Sequence, residues 1–452
     1  MSETARAAIL TIEAASPGGV PTLVDTVYRL MESWGYQPTV YRTQFAAGDL
    51  SPWERIAATL RSWRARAITE RGLEMTVVPA PPLPLWLFYL APHFLFGPLL
   101  RDYDAFFGAS GSAHVALPLA LRRRRYTLWV ATLYGDELQA KAEAGDAWAR
   151  AVLASPTWRL LNWQEQFALR RAARVLALSH HTARRIVEAM PDLEGRVETA
   201  LYPVDTTRFR PDPDARAQTP YGDYLLLAAR INDSRKNVPL LLHAFARVRE
   251  VHPDLKLVLT GEEPDERIKG LLRDLGIAEA VTCKGIVSAA DLLRLYQGAQ
   301  LFVLPSNQEG LGIVVLEALA CGTPVVATRC GGPEGLVIDG ETGLNVPVGD
   351  VEGMTAAILD LLGDPARLAW MRERCATFAA ERYALPVIGR QLRAAYETAL
   401  QGRAPGGMPL RRALAAVWAA FVFAEYLRHQ MALHGDAIRA QIIEPLLGAI
   451  TR

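Results

Sequence analysis

The chain has 452 residues, of which 50% are hydrophobic and 21% are charged, and its formal net charge is +1. This length predicts about two or three domains, and the apolar content excludes a mainly disordered chain. The balanced charge excludes a strongly basic nucleic-acid-binding protein, so no nucleic-acid partner is expected. The 4 cysteines are too few for a disulfide framework and show no metal-ligand spacing. A reducing compartment and no metal site are therefore expected.

The sequence shows no pattern typical of export or membrane insertion. Its first residues lack a basic segment followed by an apolar core, and it contains no run of about 18 apolar residues that could span a bilayer. We therefore expect a cytoplasmic protein. Two features favour a peripheral position at the inner face of the cell membrane. They are the aromatic, apolar segment 84–100 and the run Arg122, Arg123, Arg124 and Arg125. Packing against the core and a solvated helix end are the respective alternatives.

The first half alternates predicted strands with predicted helices. Residues 7–15 predict a buried strand, residues 16–19 a glycine-containing turn, and residues 22–34 a helix. Further strands are predicted at 39–42, 105–109, 128–132 and 175–179. This alternation is typical of a parallel, doubly wound α/β sheet.

A second series of the same kind follows residues 203–220, which are rich in Pro, Asp and Thr and predict a linker. Its strands are predicted at 224–228, 255–260, 281–284, 301–304 and 324–327. The expected fold class is therefore α/β, with two Rossmann-like doubly wound domains facing across a cleft. The expected segments are an N-terminal acceptor domain at 1–205, a C-terminal donor domain at 206–380, a helix crossing back to the N-terminal domain at 381–402, and an extra helical tail at 403–452.

The most specific motif lies within residues 302–332, where a polar loop precedes an apolar helix. The loop carries Glu309, and Glu317 lies eight positions further on, which is ~12 Å of helical rise. This separation is too large for two carboxylates acting on one bond. It suits two hydroxyl-rich ends of an extended ligand with a central diphosphate. The alternative is a purely structural role for both residues, with Glu309 as a helix cap and Glu317 as a solvated helix residue.

This motif resembles the signature of the retaining glycosyltransferases of family four, which have the two-Rossmann glycosyltransferase-B fold. Glu309 and Glu317 match the family's paired glutamates, and the flanking pattern matches at 321–328 and 339–344. The resemblance implies that Glu309 contacts the donor sugar near the reacting carbon and that Glu317 contacts the ribose. It also implies donor contacts to the backbone at Gly310, Leu311, Gly312 and Ile313.

Cationic residues upstream resemble another part of the family pattern. Arg230 matches a strand-end arginine, and Lys236, six positions later, matches the lysine that follows it. Arg235 occupies a competing register, and Lys236 is favoured because Asn237 comes next. Two such cations would stabilise the charge that develops on a leaving diphosphate without a metal.

Four further positions follow from the comparison with the same family. Ile286 lies in a loop similar to the one whose backbone holds the nucleotide base, and Gly19 matches the first glycine loop, which closes over donor and acceptor. Where many members have a histidine, this chain has Tyr134, followed by Asp136. We expect both of these on the acceptor side, with a purely structural role for each as the alternative.

These observations predict a hexosyltransferase-type glycosyltransferase that retains the anomeric configuration and needs no metal or other cofactor. The expected donor is a UDP- or GDP-sugar. The expected acceptor is a sugar, a lipid-linked sugar or a polysaccharide, as in the synthesis of cell-surface polysaccharide or glycolipid. The alternatives are a sugar-nucleotide epimerase or phosphorylase of the same architecture, or a non-catalytic nucleotide-sugar-binding scaffold. An epimerase would need no acceptor, a phosphorylase would need phosphate, and a scaffold would bind without turnover.

Overall fold

The computed structural model describes residues 4–11, 19–45, 65–80 and 100–401. These residues form two α/β units, each built on one sheet, so the expected fold class is confirmed. The predicted tail at 403–452 and the aromatic segment at 84–99 lie outside the described residues. So does the predicted turn at 16–18.

The N-terminal unit contains an eight-stranded sheet within the described residues. Its strands are β1 Arg6–Thr11, β2 Gln37–Phe45, β3 Arg66–Glu70, β4 Leu73–Ala80, β5 Ala105–Ser110, β6 Thr127–Val130, β7 Arg174–Ala177 and β8 Val197–Thr199. The spatial order is β3-β4-β2-β1-β5-β6-β7-β8, and every pair is parallel except β3 with β4. The helices are α1 Gly19–Ser33, α2 Leu117–Leu121, α3 Tyr134–Glu143, α4 Ala147–Ala154, α5 Pro156–Arg171 and α6 His180–Ala189.

The hairpin of β3 and β4 was not predicted. Its two turn residues, Arg71 and Gly72, have φ values of 56° and 74°, which suits the tight turn that joins antiparallel strands. β3 lies at the sheet edge and is largely exposed. The strand therefore lacks the buried apolar run by which the other strands were recognised.

The C-terminal unit contains a six-stranded, entirely parallel sheet within the described residues. Its strands are β9 Tyr224–Ala228, β10 Lys256–Thr260, β11 Val281–Cys283, β12 Leu301–Leu304, β13 Val325–Thr328 and β14 Gly343–Val346. The helices are α7 Ala215–Gln218, α8 Val238–Val251, α9 Glu266–Asp274, α10 Ala289–Gly298, α11 Ile313–Ala320, α12 Val351–Leu362, α13 Pro365–Tyr383 and α14 Leu385–Gln401. All residues of β9 and β12 are buried, as expected for parallel strands covered on both faces.

The last described helix, α14, returns to the N-terminal unit. The buried ring of Tyr396 lies 5.6 Å from that of Trp34 and 6.0 Å from that of Phe107, measured between centroids. Through these aromatic contacts, a helix from the C-terminal part of the chain packs against the N-terminal unit. In the described part of the chain, no helix is both long and apolar enough to cross a membrane.

The strand order decides where a ligand can bind. In the N-terminal sheet the direction of winding reverses between β1 and β5, and in the C-terminal sheet it reverses between β9 and β12. Loops that leave adjacent strands at such a point turn to opposite faces of the sheet, which opens a crevice at the carboxyl ends of the strands. The two crevices face one another.

Candidate active site

A cavity of about 520 Å³ lies between the two units, at the carboxyl ends of the strands beside both reversals. This volume is within the range of small-molecule sites. The N-terminal unit lines it with residues at the end of β5 and after β5 and β6, among them Ser110, Ser112, Thr132, Tyr134 and Glu137. The C-terminal unit lines it with residues that follow β9, β11 and β12, among them Arg230, Arg235, Lys236, Ile286 and Glu309.

Lys236 and Glu309 meet on the cavity wall. The Lys236 ammonium group donates a hydrogen bond to Glu309 Oε1, and the Ser306 hydroxyl donates to the same oxygen at 3.0 Å. The side chains of Lys236 and Glu309 are 15% and 11% exposed. Asn237 follows in the left-handed conformation, with φ of 44°, and its side-chain amide donates to Asn307 Oδ1 at 2.9 Å. This link holds the loops after β9 and β12 together.

The other two cations of the loop after β9 share one carboxylate. Arg230 pairs with Asp233 at 2.9 Å and keeps a half-exposed side chain. Arg235 pairs with Asp233 at 2.8 Å and is buried. Burial of Asp233 opposes ionisation, but the hydrogen bond and charge of Arg235 and the charge of Arg230 lower its pKa to about 2. Arg235 and Lys236, which competed for one role in the sequence, thus both line the cavity.

Glu137 is a cavity residue that the sequence analysis missed. Its carboxylate lies 3.4 Å from the Arg235 guanidinium across the cleft and 3.0 Å from the Lys141 ammonium. Burial opposes ionisation of Glu137, but these two cations lower its pKa. Its neighbour Asp136, expected on the acceptor side, does not line the cavity and accepts two hydrogen bonds from Arg185 at 2.8 and 3.0 Å. The helix geometry explains why Glu137 rather than Asp136 lines the cavity. Residues three apart lie on the same face of a helix, so Glu137 lies on the face of α3 that also carries Tyr134.

The four backbone positions predicted to contact the donor all line the cavity, namely Gly310, Leu311, Gly312 and Ile313. Gly312 is the N-cap of α11 and has φ of 79°, a conformation that favours glycine. The first N–H groups of a helix have no partners within the helix, and its dipole favours an anion there. The sequence therefore builds one end of the cavity as a candidate phosphate site.

Glu317 does not line the cavity, in contrast to the ribose contact that the resemblance implies. It lies on the second turn of α11, where the Tyr296 hydroxyl donates to its carboxylate at 2.9 Å. Burial raises the pKa of Glu317 to about 7. Gly19 begins α1, and the next residue, Val20, lines the cavity. Ile286 lines it with a side chain that is 64% exposed.

Tyr134 lines the cavity and contacts two buried polar residues, Glu165 and His114. Its N–H donates to both carboxylate oxygens of Glu165, at 3.0 and 3.1 Å, and its ring lies edge-on to that of His114, at 5.3 Å. Burial raises the pKa of the Tyr134 hydroxyl and raises that of Glu165 to about 8. Burial lowers the pKa of His114 to about 4. Neither Glu165 nor His114 was singled out in the sequence, since nothing local shows that either is buried.

Two of the four consecutive arginines brace the fold. Arg124 lies over the Phe106 ring at 5.2 Å and donates to the Leu100 carbonyl at 3.3 Å. Arg125 donates to the carbonyl of Ala399 on α14. These contacts use the charges of Arg124 and Arg125 inside the protein, so the run is not a uniform outward-facing patch.

Among the residues that the structure describes, no three His, Cys, Asp or Glu side chains come close enough together to hold a metal ion. The charged groups of the cavity are two carboxylates and three cations, Glu137, Glu309, Arg230, Arg235 and Lys236. Such a site can hold an anionic ligand and accept hydrogen bonds from hydroxyl groups.

Two family models match the chain side by side. The model described as Glycosyltransferase Family 4 matches residues 17–208, and the one described as Glycosyl transferases group 1 matches residues 214–382. The chain therefore belongs to the family-four glycosyltransferases, a family of enzymes, and the resemblance found in the sequence is confirmed.

Individual relatives agree with this assignment. The chain is similar to a GDP-mannose-dependent alpha-(1-6)-phosphatidylinositol monomannoside mannosyltransferase from Mycolicibacterium smegmatis, with 36% identity over 247 residues. That alignment covers 50% of this chain and 64% of the relative, so it spans less than two thirds of the relative's length. A D-inositol 3-phosphate glycosyltransferase from Acidothermus cellulolyticus is 28% identical over 374 residues, 78% of this chain and 80% of the relative.

A solved structure shows the same fold. Sucrose-phosphate synthase from Thermosynechococcus elongatus matches with a TM-score of 0.70 and 21% identity, over 87% of this chain and 98% of that one. At this identity the likeness concerns the fold, which is the glycosyltransferase-B arrangement of two Rossmann-like units.

Proposed function

We propose that the protein transfers a sugar from a nucleotide-diphosphate sugar to a hydroxyl group of an acceptor. The observation that carries this proposal is the convergence of Lys236, Glu309 and the N-terminus of α11 on one cavity between the units. Breaking the bond between a sugar and a diphosphate leaves negative charge on the departing phosphate. Fixed cations and helix N–H groups stabilise that charge as it develops.

Each cavity residue has a chemical role in this proposal. Arg230 and Lys236 contact the diphosphate, and Arg235, which pairs with Asp233, adds positive charge to the cavity wall. Glu309 accepts hydrogen bonds from the donor sugar and balances the positive charge on the reacting carbon. The cations already supply the charge that a metal would bring, so we propose metal-independent transfer. The leaving phosphate takes the proton of the acceptor on the same face, which retains the anomeric configuration.

The substrates are proposed from the relatives and from the cavity. One relative is named for GDP-mannose and a phosphatidylinositol mannoside, and the other for D-inositol 3-phosphate. We propose a GDP- or UDP-sugar as donor and an acceptor with a hydroxyl-rich ring, either a sugar or an inositol, free or lipid-linked. The base would lie on the apolar side chains of Ile286, Val287 and Leu292, which line one end of the cavity.

Donor turnover tests the proposal directly. The full chain is incubated with UDP-, GDP- and ADP-sugars in EDTA, with and without inositol phosphate or mannosides, and release of nucleoside diphosphate is followed. We expect release from one donor in the presence of EDTA, and its loss in Glu309→Gln and Lys236→Ala. Lys269→Ala is the matched control, because Lys269 also pairs with a glutamate but lies on the exposed face of α9. A metal requirement, or an inverted product anomer, would contradict the mechanism.

A peripheral position at a membrane is the remaining part of the proposal. Its basis is the segment 84–100 together with the run Arg122, Arg123, Arg124 and Arg125, of which Arg124 and Arg125 also brace the fold. We expect co-sedimentation with vesicles of anionic lipid that weakens in the double variant Arg122→Gln/Arg123→Gln. Absence of binding to such vesicles would contradict this part and leave the transfer reaction unaffected.

A further inference from the structure

The peptide that follows Glu309 is held by the opposite unit. Ser179 lies two residues after the end of β7 in the N-terminal unit and caps α6, where its Oγ accepts a hydrogen bond from Thr182 N at 3.1 Å. The same hydroxyl donates to the carbonyl of Gly310 in the C-terminal unit at 2.7 Å. Ser179 is only 4% exposed. Its one proton has two acceptors within reach, the Thr182 hydroxyl oxygen at 3.0 Å and, at the shorter distance, the backbone carbonyl of the donor loop.

Further hydrogen bonds and one close backbone approach also join the Gly310 region to the N-terminal unit. Thr182 donates its hydroxyl proton to the Ala131 carbonyl at 2.7 Å and lies 3.4 Å from the Gly310 carbonyl. A Cβ atom on Gly310 would lie 2.2 Å from the Ala131 oxygen, so only glycine fits there. On the other side of Glu309, the Gln308 side-chain amide donates to the Thr132 hydroxyl at 3.2 Å. Both neighbours of Glu309 thus touch the N-terminal unit.

Glu309 itself is tied to its own unit. Its N–H donates to the Cys330 carbonyl and its carbonyl accepts from Gly332 N–H, each at 2.9 Å. The segment from Gln308 to Gly310 is therefore clamped between the two units, with the carboxylate of Glu309 on the cavity wall. The position of that carboxylate therefore depends on these contacts between the units as well as on its hydrogen bonds with Lys236 and Ser306 of its own unit.

We propose that Ser179 is a positioning residue for the transfer reaction. It acts through Gly310 to hold the donor loop, so that Glu309 and the start of α11 meet the donor sugar in the reactive geometry. Ser179 is not among the residues that line the cavity, and it needs no contact with substrate. This inference rests on the proposed function, but the clamp can be measured without turnover.

The test uses three substitutions of Ser179 and one control in the full chain. Ser179→Ala removes both the cap and the cross-unit hydrogen bond. Ser179→Asp keeps a cap acceptor for Thr182 N but has no proton to donate to Gly310. Ser179→Thr keeps both functions. The control is Ser155→Ala, because the Ser155 hydroxyl also donates to a carbonyl, that of Val152 at 2.8 Å, within the N-terminal unit.

We expect donor release to fall about 10- to 100-fold in the Ala and Asp variants, because small displacements of catalytic groups cost that much. The calorimetric dissociation constant for UDP or GDP should stay nearly unchanged, and Ser179→Thr should restore most of the rate. Hydrogen exchange of residues 306–312 should become faster in the Ala and Asp variants only, while Ser155→Ala behaves as the wild type.

Unchanged exchange and an unchanged rate in Ser179→Asp would overturn the inference, as would a lower melting temperature with an unchanged rate. If the wild-type protein released nothing from any donor, the proposed function would fail. The exchange of residues 306–312 would then still decide whether Ser179 holds the loop.

Discussion

Lys236 and Glu309, which are 73 positions apart in the chain, form an ion pair on the wall of the cavity between the two units. Both side chains are mostly buried, so neither charge is well solvated if its partner is removed. The pair also links the loop after β9 to the loop after β12, the two loops on either side of the reversal in the C-terminal sheet. Stability and chemistry therefore depend on the same two side chains.

The first prediction concerns this pair. We expect Lys236→Met to lower the free energy of unfolding by about 1–3 kcal/mol, because it leaves the Glu309 carboxylate buried without its cation. Adding Glu309→Gln should recover part of the loss, since the uncompensated charge is then gone. Urea denaturation of the single and double variants measures this. Strictly additive effects of the two substitutions would contradict a buried, coupled pair.

The second prediction concerns the ion pair between Glu137 and Arg235 across the cleft. We expect a double-mutant cycle with Glu137→Gln and Arg235→Lys to give a coupling free energy of about 1 kcal/mol in donor turnover. The planar guanidinium of Arg235 reaches Asp233 and Glu137 together, and lysine cannot reproduce that geometry. Asp136→Asn is the matched control, because its partner is Arg185 and it does not line the cavity. An equal effect of Asp136→Asn and Glu137→Gln would show that the cavity position of Glu137 is irrelevant.

The third prediction concerns the pH dependence of stability. Burial raises the pKa of Glu165 from 4.5 to about 8. The folded state therefore binds this proton more tightly than the unfolded state does. The protonated Glu165 stabilises the fold in full only below about pH 5, near the unfolded-state pKa. As pH rises from about 5 to about 8, the contribution is lost, with a limiting slope of about 1.4 kcal/mol per pH unit.

We therefore expect the free energy of unfolding of the wild type to fall, relative to that of Glu165→Gln, as pH rises through this window. Glutamine keeps an oxygen that can accept from Tyr134 N–H but does not titrate. Urea denaturation at several pH values between 5 and 8 measures the difference. Parallel curves for the two proteins would mean that Glu165 does not titrate in this range.

The fourth prediction concerns Gly310. We expect Gly310→Ala to reduce donor turnover by at least about tenfold, because the added Cβ meets the Ala131 carbonyl of the opposite unit and forces the units apart. The melting temperature should change little, since the substitution removes no buried side chain. Gly195→Ala is the control, because a Cβ there meets nothing within 4 Å. Wild-type turnover in Gly310→Ala would show that this close approach is not needed for the reaction.

Much of the fold follows from local sequence. The predicted strands at 224–228 and 301–304 coincide with β9 and β12, because both are short, wholly apolar runs bounded by polar or turn residues. The sequence did not predict the hairpin of β3 and β4 or the strand β14, because these segments are not wholly apolar runs. β14 lies in a glycine-rich stretch, yet at Gly343 a Cβ would meet the Val325 carbonyl at 1.9 Å, so close strand pairing requires the glycine.

The two family patterns predicted Glu309, Lys236 and the glycine-rich helix start as site residues, and all of them line the cavity. The sequence indicated Asp136 and missed Glu137, since which of the two faces the cavity depends on how α3 is rotated toward the cleft. It could not show that Glu165 is buried or that Glu317 contacts Tyr296. The sequence determined the two units and the chemistry that each one carries. Only the tertiary structure decided which side chains share the cavity and how Ser179 reaches Gly310, because burial, charge pairing and the approach of the units depend on contacts between distant parts of the chain.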